Sequence, residues 1–126
     1  MVTADQLLAH AVGDYLLQSD WMAREKTRRS IVALLHAVVY VLPFLLLSHS
    51  LPALLVIVVS HFVIDRWRLA RYLAWLRNWL GPNRPWSECE ETGSPSDRPA
   101  YQAFWLMIIV DNTMHVLINA AALTYL

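Results

Sequence analysis

Three histidine–aspartate pairs recur at a spacing of four residues inside apolar stretches of the sequence. The pairs are His10–Asp14, His61–Asp65 and Asp111–His115. On an α-helix, residues four apart lie on one face, about one turn from each other. Each pair therefore presents an imidazole and a carboxylate together, and His36 adds a fourth histidine within an apolar run of its own.

Imidazole and carboxylate side chains together form a ligand set that suits Zn²⁺, Mn²⁺ or Fe²⁺. The sequence predicts a divalent metal site built from His10, Asp14, His36, His61, Asp65, Asp111 and His115. These seven side chains exceed the needs of one tetrahedral ion, so the surplus can orient histidines or hold a second metal. Three amide residues near these positions are expected to support the site: Gln18, Asn112 and Asn119.

The same residues allow two other interpretations. A histidine and an aspartate one turn apart can form a hydrogen bond that only fixes the rotation of a helix. Buried chains of such residues also form proton or ion relays. Asp65 can instead pair with Arg66 or Arg68, and Tyr40, one turn from His36, is expected to serve mainly in packing.

The composition predicts that these residues lie in a membrane. Of the 126 residues, 57% are hydrophobic and 16% are charged, whereas soluble domains have about 45–50% apolar and about 25% charged residues. A membrane-spanning helix needs roughly 20 mainly apolar residues. Four segments are predicted to span, at 4–22, 31–48, 51–65 and 101–125; because His10, Asp14 and Gln18 interrupt the first, a helix lying in the membrane interface is its alternative. The expected fold is all-α, a single domain (1–126) in which four transmembrane helices form an antiparallel bundle.

The ten basic residues fall into two connections of this predicted bundle. Four of them lie at 24–29 and six at 66–98, while the connection around His49 has none. Lysine and arginine favour the cytoplasmic side of a membrane. The distribution therefore predicts a protein of the inner (plasma) membrane with both termini outside the cytoplasm.

The second basic connection predicts an additional amphipathic helix at 66–80 that lies on the membrane surface. Its apolar stripe consists of Leu69, Leu73, Leu76 and Leu80. Its tryptophans suit the headgroup layer, and packing on the cytoplasmic end of the bundle is the alternative. A polar, proline-containing loop is expected at 81–100. This loop holds the single cysteine, Cys89, so an intramolecular disulfide and a CxxC motif are excluded.

The first predicted helix contains the string HAVGDYLLQSDWMA, which is followed by REKTRR and an apolar run with its own histidine. This arrangement resembles a family of uncharacterised small polytopic membrane proteins of bacteria and their phages, classed as a domain of unknown function. The resemblance covers most of the chain and implies an integral membrane protein without an assigned activity. A looser similarity exists to bacterial membrane-bound metal-dependent hydrolases, although the His-Arg…Thr-His-Ser pattern of that group is missing here.

A metal-dependent membrane hydrolase is the first functional hypothesis. A metal-bound water has its pKa lowered towards about 7, and Asp14 or Asp111 would act as the catalytic base. The arginines favour an anionic, lipid-like substrate and contact with anionic lipid headgroups. The alternatives are a proton or metal-ion conductor, which would need a homo-oligomer, and a non-enzymatic interaction or assembly protein in the lipid bilayer. A net charge of zero gives nucleic-acid binding no support.

Overall fold

The computed structural model describes residues 1–82 and 84–126, apart from the side chain of Leu80. The α-helices in this part of the chain are α1 (Ala4–Ala11), α2 (Asp20–Glu25), α3 (Ser30–Val41), α4 (Leu51–Trp67), α5 (Leu69–Leu76) and α6 (Ala100–Tyr125). The chain divides into two compact units. The first unit comprises Met1–Trp67 and His115–Leu126, and the second comprises Arg68–Met114.

The helix predicted at 4–22 is interrupted twice. Thr3 caps the start of α1, and α1 passes into a single π-helical turn at Val12–Leu16. The chain then leaves the helical conformation, and the Ser19 side chain caps α2 by accepting a hydrogen bond from the Met22 amide. A serine N-cap has non-helical backbone angles, so a continuous helix of spanning length does not form in this segment.

The π-helical turn packs closely against α3 because residue 13 is a glycine. A Cβ atom on Gly13 would lie 2.7 Å from the main-chain oxygen of Tyr40, which is closer than side-chain carbons approach backbone oxygens. The adjoining hydrophobic core of the first unit consists of Ala9, Tyr40, Phe44, Ala53, Ile57 and Ala122. This core fixes α1, α3, α4 and the end of α6 around the polar residues described below.

The second predicted span also changes its helix type. α3 ends at Val41, and the chain continues as a 3₁₀-helix at Leu42–Leu46, with Pro43 in its first turn. Proline lacks the amide hydrogen that an α-helix requires in its interior and its ring crowds the preceding turn. Pro43 therefore lies where the α-helix gives way to the tighter helix.

The described part of the chain does not contain four transmembrane helices, so the prediction of a four-span antiparallel bundle is wrong. Among the described helices, α6 is the one that is long and apolar enough to cross a membrane. α4 has 17 residues, which gives about 25 Å against a hydrocarbon core of about 30 Å. The apolar composition predicted spans without indicating that α1 ends at Ala11 and α3 at Val41.

The second unit begins at a sharp break after α4. Arg68 has a left-handed backbone conformation, with φ of 52° and ψ of 49°, and α5 starts immediately after it. The single helix predicted at 66–80 is therefore divided into the end of α4, α5 and a 3₁₀-helix at Arg77–Leu80. A left-handed conformation is uncommon for a residue with a side chain, so Arg68 marks a true boundary between two helices.

The leucine stripe predicted for this helix is not its buried face. α5 buries Ala70 and Ala74, whereas Leu73 and Leu76 are exposed. The side chain of Leu80, predicted to lie on the same stripe, is outside the described residues.

The loop at 84–99 packs against α5 through a glycine. Gly93 has φ of 78°, and a Cβ atom there would lie 2.1 Å from the main-chain oxygen of Arg71. Only glycine fits this contact, and its backbone angle is one that glycine adopts without strain. The loop also contains a short 3₁₀-helix at Trp86–Glu88 and buries Cys89.

Candidate metal centre

Four buried ligand-type side chains converge in the first unit. Asp14 comes from the π-helical turn, His36 from α3, and His61 and Asp65 from successive turns of α4. One ligand atom from each lies within 4.8 Å of the others. A π turn inserts one residue into a helix and is often found at functional sites. Here it is the local structure that carries Asp14.

The distances between these atoms match those between the ligands of one ion. His36 Nε2 lies 2.9 Å from His61 Nε2, and Asp65 Oδ2 lies 3.1 Å from His61 Nε2 and 3.3 Å from His36 Nε2. Asp14 Oδ1 lies 3.2 Å from His36 Nε2 and 3.9 Å from His61 Nε2. Tetrahedral zinc with bonds of about 2.0–2.1 Å to nitrogen and oxygen has ligands about 3.3–3.4 Å apart. The four side chains can therefore hold a metal ion.

The orientation of the two central histidines also suits an ion. The Nε2 atoms of His36 and His61 face each other and both carboxylates, while their Nδ1 atoms are buried without a hydrogen-bond partner among the described residues. A neutral imidazole with its hydrogen on Nδ1 presents the Nε2 lone pair. Both rings therefore point the same type of atom at the centre of the cluster.

Lys26 is a member of this cluster that the sequence analysis missed. Its Nζ lies 2.7 Å from Asp65 Oδ2, 3.9 Å from Asp14 Oδ1 and 3.4 Å from His36 Nε2. In the sequence, Lys26 is one of four basic residues in the connection at 24–29. One signal could have found it: Lys26 is the only lysine among the ten basic residues of the chain.

The surroundings of the two carboxylates favour their ionised forms. Burial raises the pKa of Asp14, but the hydrogen bond with His36 and the Lys26 charge outweigh burial and lower this pKa to about 2. For Asp65, burial is likewise outweighed by the surrounding histidines, His61 first, so its pKa lies well below the usual range. Both carboxylates are therefore ionised at neutral pH.

The two histidines respond differently to the same surroundings. Burial lowers the pKa of His61 to about 4. Burial also acts to lower the pKa of His36, but hydrogen bonds with Asp14 and Asp65 outweigh it and raise this pKa. The cluster thus pairs two carboxylates with one ammonium and one imidazole that readily takes a proton.

His10 lies beside the cluster and connects it to a hydrogen-bond chain. Asn119 Nδ2 donates to Tyr40 Oη at 2.6 Å, and Tyr40 Oη lies 2.8 Å from His10 Nδ1. The Tyr40 hydroxyl therefore joins the Asn119 amide to the His10 imidazole. His10, a predicted metal ligand, has its Nε2 atom 4.0 Å from Asp14 Oδ2. The other oxygen of Asp14, Oδ1, faces His36 and His61.

Tyr40 also positions a second histidine. Its ring stacks on the His61 ring, with centroids 3.7 Å apart and an angle of 16° between the planes. The side chain is fully buried. Tyr40 therefore contributes both packing, as the sequence predicts, and the hydroxyl that joins Asn119 to His10.

Three further predicted site residues lie on α6: His115, Asp111 and Asn112. His115 Nε2 lies 3.4 Å from Asp65 Oδ1, and its ring is 4.2 Å from that of His61. Asp111, the second predicted catalytic base, lies one turn earlier in α6, is half-buried and belongs to the second unit. Asn112 donates to the Ile108 carbonyl of its own helix at 2.7 Å.

Gln18 is the last of the predicted supporting residues. It is half-buried, and its Oε1 atom has no hydrogen-bond partner among the described residues.

The fold and the cluster together define an all-helical protein with a buried histidine–aspartate site that can hold a metal. The chain belongs to a family described as proteins of unknown function (DUF3307), whose profile matches residues 2–126. The prediction of an uncharacterised family is thereby confirmed. No curated protein and no solved structure matches the chain.

Proposed function

We propose that this protein binds a divalent metal ion through His36, His61, Asp65 and Asp14. The observation that supports this proposal is the convergence of four buried ligand atoms at the spacing of a single coordination sphere. Two imidazoles and two carboxylates favour zinc, manganese or iron over magnesium or a thiophilic ion.

A purely structural network is the competing explanation. Buried ionic groups pay a large desolvation cost, and well-packed apolar residues often replace them at no loss of stability. A network that served only folding would therefore gain little from placing two carboxylates, two imidazoles and Lys26 around one point. Metal binding would explain why four ligand atoms converge on one point.

The finer proposal is metal-dependent hydrolysis. Catalytic zinc sites use three protein ligands and keep a fourth position for water, whose pKa the metal lowers. His36, His61 and Asp65 form the tighter set, with separations of 2.9–3.3 Å. In this finer proposal Asp14 is not a fourth ligand: its ionised Oδ1, which lies 3.9 Å from His61 Nε2, would accept a proton from water.

Metal content tests the binding proposal. The protein is purified without chelator and its zinc, manganese and iron are measured by elemental analysis; we expect about one ion per chain. Asp65→Asn and His61→Gln keep the side-chain size but remove a ligand, and should lower the metal content at least ten-fold. His49→Gln replaces an exposed histidine and should keep it. A folded wild-type protein that remains metal-free after dialysis against each ion would overturn the proposal.

Hydrolysis is tested separately on metal-loaded protein. Chromogenic phosphate and carboxylate esters serve as substrates, and Asp14→Asn is compared with Asp5→Asn, which changes an exposed aspartate in α1. We expect turnover that chelator abolishes and Asp14→Asn reduces at least a hundred-fold. Metal binding without any turnover would leave the binding site standing and reject the hydrolase.

A further inference from the structure

Three arginines of the second unit line one cavity, called here the arginine cavity. It has a volume of about 270 Å³, and Arg77, Arg84 and Arg98 form part of its wall. The rest of its described lining consists of asparagine, glycine and proline residues, which carry no charge. The described wall of this cavity therefore presents positive charge only.

The backbone around these arginines is held by local hydrogen bonds. Arg77 begins the 3₁₀-helix that follows α5. Trp75 Nε1 donates to the Arg84 carbonyl at 2.9 Å, and the Arg98 amide donates to the Pro95 carbonyl at 3.1 Å. Because the backbone is already fixed at these points, a ligand would bind without ordering a loop, which lowers the entropic cost of binding.

Two of the three guanidinium groups can receive an anion. Arg84 is already paired, since its Nη1 donates to Glu88 Oε2 at 3.2 Å and its Nη2 donates to Asp97 Oδ2 at 3.1 Å. The side chains of Arg77 and Arg98 make no hydrogen bond or ion pair with any residue in the described part of the chain. These two side chains therefore carry charge that no described carboxylate pairs with.

The acidic residues of this region border a neighbouring cavity instead. That cavity, of about 440 Å³, shares Pro95 and Arg98 with the arginine cavity, and its wall includes Glu88 and Glu91. Its charges are thus mixed, whereas the described wall of the arginine cavity has one sign. A cleft lined by one sign of charge raises the local concentration of oppositely charged molecules, so an anion is favoured in the arginine cavity.

We propose that the arginine cavity binds a phosphate monoester group, with Arg77 and Arg98 as the residues that contact its oxygens. Guanidinium groups form paired hydrogen bonds with phosphate and carboxylate oxygens. A carboxylate has two oxygens and one charge, whereas a phosphate monoester has three terminal oxygens and up to two charges, so it can engage two arginines at once. The group can belong to a soluble monoester or to a phospholipid headgroup.

Two further properties of the cavity fit this ligand class. Its volume of about 270 Å³ lies just below the range of about 300–1,000 Å³ for pockets that take drug-sized ligands, which suits a small phosphorylated group. The described lining contains none of the proposed metal ligands, so phosphate binding here does not depend on the metal.

Calorimetric titration with phenyl phosphate tests this proposal. The buffer is free of phosphate and contains chelator, so that a bound metal does not contribute. Wild-type protein should bind phenyl phosphate at least ten-fold more tightly than benzoate, which places a carboxylate on the same ring. Arg77→Gln and Arg98→Gln should each weaken phenyl phosphate binding at least ten-fold, because each removes one charged donor group. Arg24→Gln, which changes an exposed arginine of the first unit, should bind as tightly as wild type.

The Arg77→Gln variant keeps the test falsifiable, because it changes an exposed side chain without a described hydrogen bond or ion pair. Urea denaturation of each variant verifies that it is folded. Unchanged phenyl phosphate affinity in folded Arg77→Gln, or benzoate bound as tightly as phenyl phosphate, would overturn the proposal.

Nanodiscs with phosphatidic acid, compared with phosphatidylcholine alone, identify the source of the phosphate. Binding to phosphatidic acid that Arg77→Gln weakens supports a lipid headgroup. Binding of phenyl phosphate without binding to either nanodisc supports a soluble monoester, and wild-type protein that binds neither phenyl phosphate nor phosphatidic acid rejects the site.

Discussion

The two units of this protein treat their charged residues in opposite ways. In the first unit, His36 and His61 are completely buried and Asp65 is 5% exposed. In the second unit, Arg84 pairs with Glu88 and Asp97 at 3.2 and 3.1 Å, and the three side chains are about half exposed or more. The histidine–aspartate cluster of the first unit is thus removed from water, whereas this group of ion pairs in the second unit remains in it.

The arginines of the second unit also have an evident structural use. The Arg71 guanidinium lies over the rings of Tyr72 and Trp86, at 4.9 and 5.5 Å, and donates to the Glu90 carbonyl. Arg68 donates to the Glu91 carbonyl at 2.7 Å. These contacts fasten the loop to α5, so the fold explains the charges of Arg68 and Arg71. The buried charges of the first unit are not explained in this way, and this difference points to chemistry there.

The largest expected effect comes from removing one buried carboxylate. Asp65→Ala leaves Lys26 and three imidazoles facing an unfilled acceptor position, and breaking a buried ion pair in this way costs about 3–5 kcal/mol. Asp97→Ala removes an exposed partner of Arg84 and should cost about 0–1 kcal/mol. Urea denaturation of both variants measures the two losses. Equal losses would remove the contrast between the units.

A smaller effect is expected from one hydroxyl group in each unit. Tyr40→Phe deletes the group that accepts from Asn119 and lies next to His10, and an unsatisfied buried group costs about 1–3 kcal/mol. Tyr72→Phe deletes an exposed hydroxyl that accepts from Arg71 at 3.2 Å and should change the free energy of unfolding very little. If the two variants had the same free energy of unfolding, the hydrogen bonds of the Tyr40 hydroxyl would not contribute to stability.

The pH dependence of stability should be carried by His61. The unfolded chain protonates this histidine below pH 6.5, but the folded chain does so only near pH 4. The unfolded state therefore binds the additional proton, and the free energy of unfolding should fall by at most about 1.4 kcal/mol per pH unit as the pH decreases across this range.

His36 acts in the opposite direction and in a different pH range, above 6.5. Its pKa is raised, so its contribution is present below pH 6.5 and is lost as the pH rises through its folded pKa. In chelator-treated protein, His61→Leu should flatten the profile between pH 6.5 and 4, while His49→Leu should leave it unchanged. A wild-type profile that is already flat in this range would contradict the assignment.

The local chemistry of the site could be predicted from spacing better than the global fold could be predicted from composition. The interval of four between His61 and Asp65 places both at one point because α4 is a regular α-helix there. The same interval between His10 and Asp14 gives a separation of 4.0 Å, because the π-helical turn begins between them. The sequence pattern does not predict this π-helical turn.

The fold prediction failed because apolar content says little about where a helix ends. Many large apolar side chains are exposed, among them Leu46 at 89% and Ile31 at 67%, and these raised the hydrophobic fraction without forming four spans. Lipid contact, the inner-membrane location and a homo-oligomer stay predictions. Lys26 was missed because a lysine within a basic segment has no periodic signal, and its side chain reaches the cluster only in the folded chain.

X-ray absorption spectroscopy at the edge of the bound metal tests the central claim most directly. We predict a first shell of only nitrogen and oxygen atoms at about 2.0–2.2 Å, with the outer-shell scattering of two imidazoles. His36→Gln and His61→Gln should each remove one imidazole from that signal. A sulfur atom at about 2.3 Å, which would indicate Cys89, or a metal without histidine scattering would contradict the assigned site.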